Sequence, residues 1–161
     1  MRNIMKKLIL TLGIAFASFS LFAANSTEAY YNSETECLGV ELDGSQTLRV
    51  WATGRNKTDA IEQCKKNAVN EVIFKGVRGG NGGCNTKPLI NEVNAQEKYS
   101  YYFNKFFKDK GEYKKYVSTE DTRTLTRKRS RRAEQVKYGY TVRVLRAELQ
   151  QRLIDDGIIK P

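Results

Sequence analysis

An alternating stretch at residues 134–145 constrains the fold most strongly. Apolar side chains occupy every second position, namely Val136, Tyr138, Tyr140, Val142 and Val144. The positions between them carry Lys137, Gly139, Thr141 and Arg143. Successive side chains of a strand point to opposite faces of a sheet, so the pattern predicts a strand with one covered face and one polar face. An antiparallel sheet with helices on one face is the architecture that suits it.

Two earlier stretches alternate in the same way on either side of a turn signal. Their apolar members are Leu38, Val40 and Leu42, and then Leu48, Val50 and Ala52. Asp43-Gly44 stands between them, and Asp-Gly is favoured in tight turns, so this region predicts a β-hairpin. Another strand is predicted at about 116–127, directly before the strand at 134–145.

Helical periodicity follows the hairpin. Asn56 or Thr58 can cap a helix that carries an apolar stripe and ends at Gly76. The stripe consists of Ile61, Cys64, Ala68 and Val72. A second helix is predicted at about 91–108, with an aromatic stripe from which Tyr101 and Phe107 deviate, so that some aromatic surface would be exposed. A short C-terminal helix would carry Leu149 and Leu153 and end at Gly157.

These elements predict one α+β domain over residues 30–161, with the order ββααββα. The predicted architecture is an antiparallel sheet of about four strands with two longer helices packed on one face and a short C-terminal helix.

Residues 1–29 have the pattern of a secretion signal. Basic residues precede an apolar run at 8–23, and small and polar residues follow it. The run has about 16 residues, fewer than the roughly 20 that a membrane-spanning helix needs. We therefore predict cleavage after Ala23 or Ala29, and a periplasmic or secreted product with no transmembrane span. No cysteine ends the run, so no lipid anchor is expected.

Cysteine usage agrees with export. The chain has three cysteines, and an odd number leaves one thiol over if a disulfide forms. Cys64 lies on the apolar stripe of the first helix, where a free cysteine behaves as a small hydrophobic residue. Cys37 lies at a strand start and Cys84 in a glycine-rich loop, so we predict that any bridge joins these two.

The residues predict no enzyme. The chain contains no histidine, which removes catalytic triads, Cys–His pairs and the commonest metal ligand. The cysteines lack zinc spacing, and the glycines at 79–83 lack the preceding strand and following helix of a phosphate-binding loop. Neither a metal nor a cofactor is therefore expected.

A dense basic run is the sharpest electrostatic feature. It comprises Arg127, Lys128, Arg129, Arg131 and Arg132, at the predicted tip and flank of the last hairpin. Clustered guanidinium groups pair with phosphates and carboxylates, so the run is a candidate anion-binding element. The alternative is an ordinary solvated loop. The chain has a net charge of +10, of which about +7 remains without the basic start, and this favours anionic partners or serves solubility alone.

Residues 50–60, continuing through Ala68-Val69, form a strand ending in Ala-x-Gly, a short break and a helix with spaced alanines. This segment resembles the N-terminal domain of the flagellar assembly protein T and a related family of small membrane-associated lipoproteins. The pattern at 72–76 and 136–140 is similar to small exported proteins of Bacteroidetes with no assigned activity. The resemblance covers about 30 residues well and implies a non-enzymatic α+β accessory domain of the cell envelope.

We expect, from these features together, a periplasmic or cell-envelope interaction protein that docks an anionic partner through the basic hairpin. The partner would be an envelope protein or an anionic polymer, and export argues against nucleic acid. Exposed aromatic residues such as Trp51 or Tyr101 would add contact area. The alternative is a secreted glycan- or lipid-binding module with a pocket between the aromatic helix and the sheet. The residues leave the oligomeric state open.

Overall fold

The computed structural model describes residues 34–118, 126–129 and 136–160, so the predicted signal segment lies outside the described residues. The protein is α+β. Its strands are β1 (Glu34–Val40), β2 (Gln46–Gly54), β3 (Val117–Ser118), β4 (Thr126–Arg129) and β5 (Val136–Val144). Its α-helices are α1 (Lys57–Asn70), α2 (Ala95–Lys98), α3 (Ser100–Phe106) and α4 (Arg146–Asp155), with a π-helical turn at Glu71–Lys75 and a 3-10 turn at Glu112–Tyr116.

The strands form one antiparallel sheet, in the order β1-β2-β5-β3, and β4 also pairs with β5. The predicted first hairpin is confirmed as β1 and β2. Its turn is stabilised by Asp43, whose Oδ1 accepts hydrogen bonds from the backbone N–H and the hydroxyl of Ser45 at 2.9 and 2.6 Å.

The face expected to be covered in the first strand of this hairpin is wrong, because Leu38, Val40 and Leu42 are exposed and Cys37 is the buried residue of β1. The strand predicted at 134–145 is confirmed as β5, but its polar face is partly covered, since Gly139 and Thr141 on that face are buried.

The core lies between the sheet and α1. Leu48 pairs with Val142 and Val50 with Tyr140 across β2 and β5, and α1 packs against both strands. Of the two candidate caps Asn56 and Thr58, the structure uses Asn56, whose Oδ1 accepts a hydrogen bond from the Asp59 backbone N–H at 2.9 Å. Such a cap stabilises a helix by about 1 kcal/mol.

A close backbone contact joins β2 to α1. A Cβ atom on Gly54 would lie 2.4 Å from the backbone nitrogen of Ala60 in the first turn of α1. Because any larger residue would collide there, the glycine allows the helix to fold directly back over the strand. This contact is the physical basis of the strand–turn–helix pattern at residues 50–60.

Two predicted elements differ in the structure. The helix expected at 91–108 is shorter and consists of α2 and α3, because Asn94 has a left-handed φ of 61° and Tyr99 has non-helical angles between them. The strand expected at 116–127 is described only at its two ends, as β3 and β4. Among the described residues the element order is therefore β1-β2-α1-α2-α3-β3-β4-β5-α4.

Candidate functional site

The basic run begins on β4, which pairs with residues 136–139 of β5. Within β4, Arg127 lies opposite Tyr138 and Lys128 lies opposite Lys137. The ladder therefore places these basic residues of β4 beside residues 137 and 138 of β5.

The remaining two members of the predicted binding set, Arg131 and Arg132, lie outside the described residues. The hairpin itself is described on both of its sides by β4 and β5, with residues 130–135 between them.

Acidic residues of β1 and its turn neutralise the polar face of the sheet. The three ion pairs join Lys137 to Glu34 at 3.1 Å, Arg49 to Glu36 at 3.7 Å, and Arg143 to Glu41 at 3.5 Å. Partly exposed pairs of this kind contribute only about 0–1 kcal/mol each to stability. Their consequence is electrostatic, because they offset the positive charge of Arg49, Lys137 and Arg143 on β2 and β5.

One of the two expected exposed aromatic residues is buried. Trp51 is only 5% exposed, so the prediction that it adds contact area on the surface is wrong. Although the strand alternation places it on the polar face, it lies opposite Gly139, and the missing side chain there leaves space for its indole ring. Tyr101 is 88% exposed and remains available for contact.

Aromatic rings fill the space beside α3. Phe103 and Phe106 are buried and contact each other and Phe107, and Phe106 stacks on Tyr116 with a centroid distance of 6.0 Å. Phe107 is itself 9% exposed, so the expectation of exposed aromatic surface is wrong at this residue. These rings are packed core.

The glycine-rich loop packs against the sheet. Cys37 and Cys84 form a disulfide with a Cα–Cα distance of 5.8 Å, the pairing that the sequence favours. The Cys37 backbone N–H donates to the Gly79 carbonyl at 2.7 Å. A Cβ on Gly79 or Gly80 would lie within 2.5 Å of β1 backbone oxygen atoms, so the loop fits against the strand only with glycine. The loop therefore covers part of the β1 edge.

The most strongly perturbed carboxyl group is Glu62 on α1. It accepts hydrogen bonds from the Tyr113 hydroxyl at 2.7 Å and forms ion pairs with Lys114 at 2.8 Å and Lys65 at 3.1 Å. Partial burial favours the neutral carboxyl, but the Lys114, Tyr113 and Lys65 contacts outweigh it and lower the pKa of Glu62 to about 2. A group with so low a pKa is a weak base near neutral pH, which suits a structural role.

The free cysteine, Cys64, has low reactivity. Cys64 is fully buried, and its Sγ lies 3.2 Å from the Val50 carbonyl oxygen. Burial raises the pKa of its thiol to about 12, so almost no reactive thiolate forms at neutral pH. Within the described residues no group of three or more His, Cys, Asp or Glu side chains is placed to hold a metal ion.

A cleft that the sequence does not predict lies at the start of α4. It has a volume of about 530 Å³ and brings together Gln46 from β2, Asn85 from the glycine-rich loop and Arg146 from the start of α4. These residues are far apart in the chain, and no spacing rule connects them. The antiparallel pairing of β2 with β5 places Gln46 beside the start of α4, and the disulfide that joins the glycine-rich loop to β1 brings Asn85 to the same place.

Comparisons with protein-family models, curated proteins and solved structures gave no match to this chain. In the part of the chain that the structure describes, no helix is long and apolar enough to cross a membrane.

Proposed function

We propose that this chain is a non-enzymatic accessory protein of the periplasm or cell envelope, which docks an anionic partner through the basic hairpin of β4 and β5. The hairpin includes Arg127, Lys128, Arg129, Arg131 and Arg132. Its partner is an envelope protein with an acidic surface or an anionic polymer, and the exposed Tyr101 is a further contact residue.

The observation that carries this proposal is the pairing of β4 with β5. It places Arg127, Lys128 and Arg129 on a strand that pairs with β5 alone among the described strands. The neighbouring cations Lys137 and Arg143 have carboxylate partners within the sheet. The signal-like residues 1–29 and the Cys37–Cys84 disulfide support an exported location.

Replacement of the five basic residues by alanine tests the docking mechanism. We expect binding to lipopolysaccharide or to polyglutamate, measured by biolayer interferometry, to weaken at least about tenfold, because five charge contacts of a few tenths of a kcal/mol or more together exceed about 1.4 kcal/mol. Binding of the unaltered protein should also weaken between about 50 mM and about 500 mM salt, since salt screens exposed charges.

A matched variant separates the effect of the basic hairpin on binding from the effect of net charge. It replaces five exposed lysines outside the hairpin, namely Lys57, Lys105, Lys108, Lys115 and Lys160. The docking mechanism requires that this variant retain most of its affinity. Equal loss in both variants would mean that attraction follows net charge, and full binding by the hairpin variant would refute the mechanism.

A further inference from the structure

The cleft at the start of α4 carries one charged group. Its described lining includes Val40, Gln46, Asn85, Arg146 and Ala147, and Arg146 is the one charged residue among the lining residues. The volume of about 530 Å³ lies within the range of small-ligand sites, roughly 300–1,000 Å³.

Arg146 lacks the counterion that a partly buried guanidinium group normally has. Its Nη2 donates to the Lys87 carbonyl oxygen at 3.1 Å, which anchors the side chain, and its buried Nη1 has no hydrogen-bond partner. Within the described chain no carboxylate forms an ion pair with it. Burial alone lowers the pKa of Arg146, and the group nevertheless stays charged at neutral pH. An anion in the cleft would compensate this unpaired positive charge.

Gln46 is a second unsatisfied group in the same place. Its side chain is 1% exposed, and its Oε1 accepts no hydrogen bond from the described residues. Buried polar atoms almost always have a partner, so this oxygen indicates a missing donor. The residue before α4, Leu145, provides no side-chain cap, and the positive end of this ten-residue helix therefore adds to the attraction for an anion.

These two groups line the same cleft and require different partners. Arg146 needs a carboxylate oxygen, and Gln46 needs an N–H or O–H donor. A carboxylate with an amide N–H on the neighbouring carbon satisfies both, and this grouping ends every peptide chain whose last residue is not proline. Val40, which is 45% exposed at the rim, offers an apolar contact to a side chain.

We propose that the cleft binds an acylated amino acid through its free carboxylate, as presented by the C-terminal residue of a peptide. The carboxylate pairs with Arg146 at the start of α4, and the amide N–H donates to Gln46 Oε1. This site is separate from the basic hairpin and does not depend on its partner.

The test compares two forms of one peptide on the full-length mature protein. Acetyl-Ala-Ala-Ala-Val with a free carboxylate and the same peptide with a C-terminal amide are titrated against the ¹⁵N-labelled protein by NMR. We expect the free acid to shift the amide signals of the α4 start and of Gln46, and the amide form to bind at least about tenfold more weakly. N-acetylvaline is titrated in a third arm. If the cleft recognises a peptide end, the tetrapeptide binds more tightly than N-acetylvaline. If it recognises any acylated amino acid, the two ligands bind equally well.

Two variants locate the site. Arg146→Gln should weaken binding of the free acid by about tenfold or more, as expected when a buried charge-assisted contact is lost. Arg55→Gln, at an exposed arginine outside the cleft, should leave the affinity unchanged. The proposal is overturned if the unaltered protein binds the acid and the amide equally, or binds neither form at millimolar concentration. Either result decides the question whatever the two variants show.

Discussion

Single residues set the packing of this sheet, and Gly139 is the clearest case. A Cβ atom on Gly139 would lie 2.7 Å from two ring carbons of Trp51, so the indole ring rests directly on the β5 backbone. The residue pattern of β5 shows only a small residue on the polar face. The reason for it becomes visible when the ladder places Trp51 opposite Gly139.

Gly139→Ala should destabilise the protein by about 1–3 kcal/mol, because a methyl group overpacks a site that the indole ring already fills. The free energy of unfolding is measured by urea denaturation. Gly39→Ala is the control, since a Cβ there meets no atom within 4 Å. An unchanged free energy in Gly139→Ala would show that the ring moves aside at no cost.

The carboxyl group of Glu62 predicts a stability change in acid. Its pKa of about 2 in the folded protein lies below the ordinary value of 4.5, so its contribution to stability is complete above about pH 4.5 and is lost as the pH falls towards 2. The unaltered protein should therefore lose stability more steeply across this interval than Glu62→Gln. Urea denaturation at several pH values measures both slopes, and parallel slopes would contradict the assignment. Glu97→Gln, at an exposed residue, should leave the slope unchanged.

At the scale of elements, the glycine-rich loop and β1 act as a unit joined by the Cys37–Cys84 disulfide. The bridge connects residues 47 positions apart, and closing a loop of that size restricts the unfolded chain. The close approach of Gly79 and Gly80 to the strand then aligns the loop along β1.

Replacing both Cys37 and Cys84 by serine should lower the free energy of unfolding by about 2–4 kcal/mol. Urea denaturation of this variant and of the unaltered protein measures the difference. A reductant should destabilise the unaltered protein and leave the variant unaffected. Alkylation followed by mass spectrometry provides a check, since the unaltered, unreduced protein should react at Cys64 only after unfolding. Equal stability of the two proteins would mean that the loop holds its place without the bridge.

Local pattern predicted some elements better than others. β5 and α1 were foreseeable because alternation or helical periodicity runs through their whole length. The helices after Pro88 were harder to predict, because Asn94 and Tyr99 interrupt the helix although the aromatic spacing is continuous. The packing of the loop at 79–83 could not be predicted from local pattern, because it depends on contacts with β1, which is distant in sequence.

At the scale of the whole molecule, the distribution of charge follows the topology more than the sequence. The order of strands places the acidic β1 beside β2 and brings Glu34 to Lys137, so much of the basic charge on the sheet is paired. The candidate hairpin could be predicted because its basic residues are consecutive. The cleft at Arg146 could not, because Gln46, Asn85 and Arg146 meet only after the sheet has formed.

The covering of β1 by the glycine-rich loop links oxidation to protection against aggregation. An uncovered strand edge offers free backbone groups to another chain. Before Cys37 and Cys84 are joined, the loop lacks the covalent bond that holds it over this edge. A newly folded chain is then most prone to associate with other chains. We therefore expect chains kept in a reducing environment to associate through β1, and chains that reach an oxidising one to stay separate.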